Sequence, residues 1–200
     1  GTGFNSQTYW TQEHEDKITI SDIDLKLSNV YYNISSNHEF NATSNLIIGS
    51  QGMHQNNVNR PSVPETILPD LTSTDFGIYS LYTKRFENLV LQGGVRYDWR
   101  ILNVPLQAEI DTVFNQTYEG FNFSGGARYA LQNHDFRINI SSGTRAPNAS
   151  ELLANGVHHG SVRYEMGDRS LSVEKAIQLD FAYTLELEHF EMIVNPFYTV

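Results

Sequence analysis

From residue 89 to residue 100 the chain reads LVLQGGVRYDWR, and every second position shares a character. Leu89, Leu91, Gly93, Val95, Tyr97 and Trp99 fall on one side of an extended chain, and Val90, Gln92, Gly94, Arg96, Asp98 and Arg100 on the other. Successive side chains of a strand point to opposite faces, so this stretch predicts a strand that is apolar on one side and charged on the other. The alternation returns in YEGFNFSGGARYAL (118–131), FRINISSGTR (136–145) and AIQLDFAYTLEL (176–187). Phe121, Phe123, Tyr129, Phe136, Ile138, Ile140, Leu179 and Phe181 there oppose Asn122, Ser124, Arg128, Arg137, Asn139, Ser141, Gln178 and Asp180. Less regular runs near 22–35, 44–56 and 73–85, with FEMIVNPFYT (190–199), bring the total to about eight strands. Helical periodicity is confined to ASELLANG (149–156), enough for a turn or two. The pattern predicts an all-β chain folded as an antiparallel meander of long strands.

The connections fall into two classes that alternate along the chain. Short ones are read at 35–38, 86–88, 132–134 and 186–189, and long ones at 57–72, 101–117 and 146–174. Tight turns at one end and long loops at the other are the rhythm of a transmembrane β-barrel. The expected strands run about ten to fourteen residues, against the five or six usual in soluble sheets. Aromatic residues sit near their ends on the apolar face: Tyr97 and Trp99 at one end, Tyr129 and Phe136 at the other, where girdles would lie. A soluble β-sandwich with one wet face per sheet also alternates and is the competing reading.

Composition narrows the choice. Apolar residues make up 40% and aromatic residues 12%, which argues against a disordered polymer. No cysteine is present, so disulfides and thiolate chemistry are excluded. A net charge of −10 argues against a nucleic-acid partner. No apolar run is long enough for a transmembrane helix, which leaves a strand-built membrane protein open. Gly1 opens no signal peptide, so the chain is read as mature or truncated.

Four stretches in order carry a family resemblance: GSQGMHQNNVN (49–59), LPDL (68–71), FGIYSLYTKRFENLVLQGGVRYDWR (76–100) and SSGTRAPNASELLANGVHHGSVRYEMGDRSLSVEKAIQLD (141–180). Together they resemble the C-terminal part of the β-barrel of a TonB-dependent outer-membrane receptor. The family's Gly-Leu-Arg-Tyr-Asp strand is met by Gly94, Val95, Arg96, Tyr97 and Asp98. Its Arg-Ala-Pro followed by Glu-Leu is met by Arg145, Ala146, Pro147, Glu151 and Leu152. Its Glu-x-Gly-Asn-Pro-x-Leu-x-Pro-Glu is met in part, by Glu165, Gly167, Leu171 and Glu174, with Asp168, Arg169 and Val173 departing from it. The resemblance covers residues 45–200 and is weaker over 1–44. It implies a 22-stranded barrel around an N-terminal plug, of which residues 1–200 supply about a third, as wall without plug. It also implies a bacterial outer-membrane location and contact with outer-membrane lipid. The implied activity is import of a scarce nutrient (metal chelate, siderophore, haem or similar), energised by TonB through the plug. The chain ends within a strand, at Phe197 to Val200, and is accordingly read as a fragment. A closed eight-stranded barrel fits the length but not these motifs.

Arg96, Asp98, Arg100, Arg128, Arg137 and Arg145 belong to the polar face, where mutual ion pairing is expected. Arg145 with Glu151 or Glu174 is the preferred pair for pinning the long loop to the wall, and Pro147 ends the strand by withholding a donor. His158 and His159 are the candidate ligand contacts, with His54 and Glu165. Adjacent histidines on an extended segment point opposite ways, so both seldom hold one metal. A third donor would come from His54, Glu151, Glu165 or Asp168, and no metal site or cofactor is assigned. No Gly-x-Ser-x-Gly elbow, Walker loop or His-Glu-x-x-His motif is present, so no enzyme is expected. The alternatives to an import receptor are a structural or adhesive barrel without transport and a soluble β-sandwich interaction domain.

Overall fold

The computed structural model describes residues 2–9, 25–59, 68–107, 113–158 and 163–200. The elements are β1 (Thr2–Tyr9), β2 (Leu25–Asn41), β3 (Ser44–Asn59), β4 (Leu71–Arg85), β5 (Leu89–Val104), β6 (Phe114–Leu131), β7 (His134–Arg145), α1 (Ala149–Leu153), β8 (Asn155–His158), β9 (Arg163–Met166), β10 (Glu174–Leu187), β11 (Phe190–Val194) and β12 (Phe197–Thr199). Among the described residues the main sheet has ten strands, in the order β1-β2-β3-β4-β5-β6-β7-β10-β11 with β12 also on β10. Strands β8 and β9 form a separate hairpin. Neighbours in the sheet pair antiparallel, so the wall is a meander, an open arc of barrel.

Strands β2 to β6 are longer than the alternation suggests, at 15 to 18 residues. They run past the apolar stretch into the long connections: β3 reaches Asn59, β4 starts at Leu71, β5 reaches Val104 and β6 starts at Phe114. The turn expected at 35–38 is not there. Those residues lie inside β2, with Ser36 opposite Ile48 and His38 opposite Leu46. Their Ser and Asn content suits turns, but the turn forms at Ala42 and Thr43. There the Asn41 side-chain oxygen accepts from Thr43 N at 3.0 Å, Thr43 Oγ1 at 2.8 Å and Ser44 Oγ at 2.7 Å. The stretch 190–199 is one strand interrupted once. Val194 faces Tyr183 and Phe197 faces Asp180, a single continuous register. Pro196 between them offers only its carbonyl, which accepts from Phe181 N at 3.1 Å.

Register puts the apolar positions in rows. Ile78, Tyr97 and Phe121 form one row across β4, β5 and β6, and Tyr129, Phe136 and Tyr183 another across β6, β7 and β10. The first group extends to Trp99, which packs on Tyr97 at 4.4 Å and on Phe76 at 5.5 Å between ring centroids. In the second, Phe136 packs on Tyr183 at 5.0 Å, with His134 stacked on both. Phe121 and Tyr129 are eight positions apart on β6, about 26 Å along the strand and about 20 Å along the normal of a tilted barrel. Trp99, opposite Glu119 and so ten positions from Tyr129 in this register, extends the distance to about 33 Å along the strand and about 25 Å along the normal, the height of the apolar band that aromatic girdles bracket in such a barrel. Between them Val95, Phe123, Ile138, Ile140, Leu179 and Phe181 are exposed, on the outer side of the arc.

The buried core lies on the other face, at the loop end. Leu71, Leu102, Val104 and Tyr118 project from β4, β5 and β6, and Leu152 and Leu153 of α1 close over them. The connection from β7 to β10 therefore folds inward onto the wall rather than standing free of it.

Candidate functional site

Beneath that small core the polar face is a network of paired charges. Arg100 of β5 grips Asp75 of β4 with two bonds, Nε to Oδ1 at 2.7 Å and Nη2 to Oδ2 at 2.9 Å. Arg96 holds Asp98, two positions along the same strand, through Nε at 2.7 Å and through Nη2. With its amide oriented to satisfy both groups, the Gln51 oxygen accepts from Arg96 Nη2 at 2.7 Å and Nη1 at 3.1 Å. Asn122 Nδ2 donates to Asp98 Oδ2 at 3.3 Å. At the turn end Arg128 and Arg137 both donate to Asp135, at 2.5 and 2.6 Å. Alternation places these groups on one face, and the narrow spacing of paired strands brings neighbouring charges within reach.

The long connection is fastened at its base. Arg145, the last residue of β7, donates from Nη1 to both oxygens of Glu151 at 2.9 and 3.0 Å. Its Nε and Nη2 donate to Glu174, the first residue of β10, each at 2.9 Å. One guanidinium thus ties the end of one strand, the start of the next and the helix between them. Glu151 also completes a capping box: Asn148 Oδ1 accepts from Glu151 N, and Glu151 Oε2 accepts from Asn148 N, both at 2.9 Å. Pro147 lies between the end of β7 and this cap. Arg100 Nη1 lies 3.4 Å from the carbonyls of Ala146 and Pro147, so the wall pair reaches the start of the connection too.

Farther out, the β8–β9 hairpin stands on α1. Gly167 N donates to Ala154 O at 2.7 Å and Asp168 N to Glu151 O at 2.8 Å. His158 falls at the hairpin's far end, opposite Arg163, and Glu165 pairs with Gly156. His159 lies outside the described residues. His54 is elsewhere, on the outer side of the wall in the row of Val30 and Ile101, with Nδ1 at 2.8 Å from Thr74 Oγ1. The structure therefore does not bring it to the hairpin. Asp168 turns to its own loop, accepting from Ser170 N at 2.8 Å and Ser170 Oγ at 2.6 Å. Among the described residues no three His, Asp or Glu side chains gather as a metal site. Asp75, Gln51, Leu153 and Asn148 join the site without having been singled out by residue order. Only Asn148 carries a local signal, the N-x-x-E of a capping box.

The TonB dependent receptor-like β-barrel family matches residues 1–199. The chain belongs to that family. Solved structures agree on the fold. The copper transporter OprC superposes with a TM-score of 0.70 at 14% identity, over 87% of this chain and 29% of that one. The FrpB iron transporter from Neisseria meningitidis (F3-3 variant) gives 0.65 at 16%, over 88% and 28%. A double mutant of the Serratia marcescens hemophore receptor HasR, in complex with its hemophore HasA and heme, gives 0.61 at 13%, over 99% and 39%. The chain spans less than two fifths of each of these proteins.

In this receptor arc the loop fastening is sensitive to acid. The Asn148 N–H, followed by the Arg145 guanidinium, holds the Glu151 carboxyl below its ordinary value of 4.5. The folded state therefore binds this proton less readily than the unfolded loop. Its contribution is complete above the ordinary value and is lost as pH falls through the lowered one. Asp168 is lowered in the same direction by the Ser170 hydroxyl and N–H. Amide exchange in α1, corrected for intrinsic rates, is expected to stay flat from neutral pH to the ordinary carboxylate range and accelerate below it. Acceleration already near neutrality would show that another group controls the loop.

Proposed function

We propose that the full-length protein is a bacterial outer-membrane receptor that imports a scarce nutrient, with energy delivered by TonB through a plug domain inside the barrel. The observation that carries this reading is the division of the wall. One face is apolar between two aromatic bands, and the other is lined by paired charges and roofed at the loop end by a fastened connection. A lumen of that kind suits a polar cargo. The proteins that share this fold include a copper transporter, an iron transporter and a hemophore receptor bound to its hemophore and heme. A metal chelate, siderophore, haem or a similar nutrient is the proposed cargo. The fastened base leaves the β8–β9 hairpin as the presenting element, with His158, His159 and Glu165 as its proposed ligand contacts.

The test is growth of a strain lacking its own receptors, supplied with the full-length protein and with iron, haem or copper as the limiting nutrient. Rescue is expected for one of them and only in cells that have TonB. Equal rescue without TonB, or none with any source, ends the reading. Replacing His158 and His159 together by alanine is expected to lower uptake by about tenfold or more, the scale of losing one charge-assisted hydrogen bond of about 1.5–3 kcal/mol to the ligand, with the amount of receptor in the outer membrane unchanged. Undiminished uptake would remove the histidines from the site.

A further inference from the structure

The chain carries a net charge of −10, yet the outer side of the arc is nearly without carboxylates. Alternation along the paired strands puts Lys26, Lys84 and Lys175 on that side, and among the described strand residues Glu119 is its one acid. Lys26, Lys175 and Glu119 stand towards the loop end, where Glu119 accepts from the Tyr97 hydroxyl at 2.8 Å. Lys84 stands by itself at the turn end, opposite Leu91 of β5 and one residue before the end of β4. Its stem crosses an apolar surface on which Tyr82, Phe86 and Leu91 are exposed, and Phe40 is exposed close to the β2–β3 turn. Its ammonium ends at that turn, donating to Thr43 Oγ1 at 2.9 Å and lying 5.8 Å from the centroid of Phe86. A lysine so placed keeps its methylenes in hydrocarbon and its charge at the rim.

This charge has no answer within the wall. Glu39 and Glu87, the acids nearest in sequence to the two turns, take part in no ion pair among the described residues, and neither does Lys84. Thr43 takes one ammonium proton and leaves the others unspent. The same hydroxyl donates to Asn41 Oδ1 at 2.8 Å, and that oxygen also accepts from Thr43 N and Ser44 Oγ. Three donors on one oxygen fix the orientation of the amide, so Asn41 turns its Nδ2 away from them, with no partner among the described residues. Thr43 thus holds two unspent donors together, an ammonium and an amide, at a rim set with exposed aromatic rings. The partner that fits is an anion that only accepts, attached to apolar chains that cover Tyr82, Phe86 and Leu91. A free phosphate has no such chains. A headgroup with its own cation would need a carboxylate, and the outer side has none at this end.

We propose that Lys84 and Asn41 form a site on the lipid-facing surface for the phosphate of an anionic phospholipid in the periplasmic leaflet. It rests on the outer-membrane reading for its setting. The test places a tryptophan beside the site in the full-length receptor, as Phe86→Trp, which keeps an aromatic ring under the ammonium. The receptor is reconstituted in phosphatidylcholine bilayers containing brominated phosphatidylglycerol or, separately, brominated phosphatidylcholine. Fluorescence quenching gained over the receptor with Phe86 reports which lipid occupies this position. A preference of about fivefold for phosphatidylglycerol is expected, the scale of one lysine at an anionic membrane surface. Lys84→Gln in the same background is expected to abolish the preference, and Lys84→Arg to keep it. The proposal is overturned if the two brominated lipids quench alike, or if the preference survives Lys84→Gln. It is also overturned if glycerol phosphate at constant ionic strength removes the preference, which would make a soluble phosphate the ligand. Because uptake is not read, the two hypotheses fail separately. A receptor that restores TonB-dependent growth but shows no lipid preference loses the site alone, and one that shows the preference but restores no growth loses the import reading alone.

Discussion

Leu152→Ala is expected to undock the connection between β7 and β10 while the strands stay paired. Leu152 is 1% exposed and sits in the cluster with Leu71, Leu102, Val104, Tyr118 and Leu153. A five-residue helix has no stability of its own, so the loop position depends on this burial and on the Arg145 fastening. Deleting a fully buried leucine side chain to Cβ costs about 2–5 kcal/mol, as transfer free energy plus the cavity left behind. A loss of that size is concentrated on one docking equilibrium, because the wall strands are held by their own ladders. Amide exchange at 151–154 and at the Gly167 and Asp168 amides is expected to accelerate by about two orders of magnitude, with β5 and β6 unchanged. Protection that survives the substitution would mean the polar base, not the leucine, seats the loop.

Gly167→Ala is the second large effect, and its size comes from the backbone. A Cβ at Gly167 would stand 2.5 Å from Leu152 C and from Leu153 N. Both are main-chain atoms, so no rotamer change relieves the collision, and the hairpin must lift off α1. Lifting breaks the bonds from Gly167 N to Ala154 O and from Asp168 N to Glu151 O. Overpacking of this kind costs about 1–3 kcal/mol where side chains can adjust, and here nothing flexible is in the way. Since the clash is with Cβ itself, alanine and valine are expected to be nearly equal in effect, unlike at a site limited by side-chain volume. The Asp168 amide, shielded while the hairpin stands on the helix, reports the result by hydrogen exchange. An amide there as well protected in Gly167→Ala as in the wild type would contradict the close approach.

Much of the wall was legible from residue order because a strand has a period of two. Arg96, Asp98 and Arg100 against Val95, Tyr97 and Trp99 reveal both faces of β5 without any neighbour. The strand ends were less legible. Beyond the apolar band both faces of a strand carry polar residues, as in His54 to Asn57, and alternation stops marking it while the ladder continues. The Ser35 to His38 stretch has the composition of a turn and the structure of a strand, because the Asn41 side chain offers a better turn three residues later.

Residue order alone sets what is local and periodic: which residues are extended, which of their faces are apolar, where most of the tight turns fall, and that Arg145 has two carboxylates to choose from. The tertiary structure decided the rest, and distance along the chain is the reason. Asp75 meets Arg100 across 25 residues, Arg145 takes Glu151 and Glu174 together, and Leu152 finds Leu71 across the sheet. The parting of β6 from β7, whose pairing stops at Ser124 and Ser141, is still less local. It exists because β6 follows β5 and β7 follows β10, and two registers on separate partners leave no trace in the strands between them.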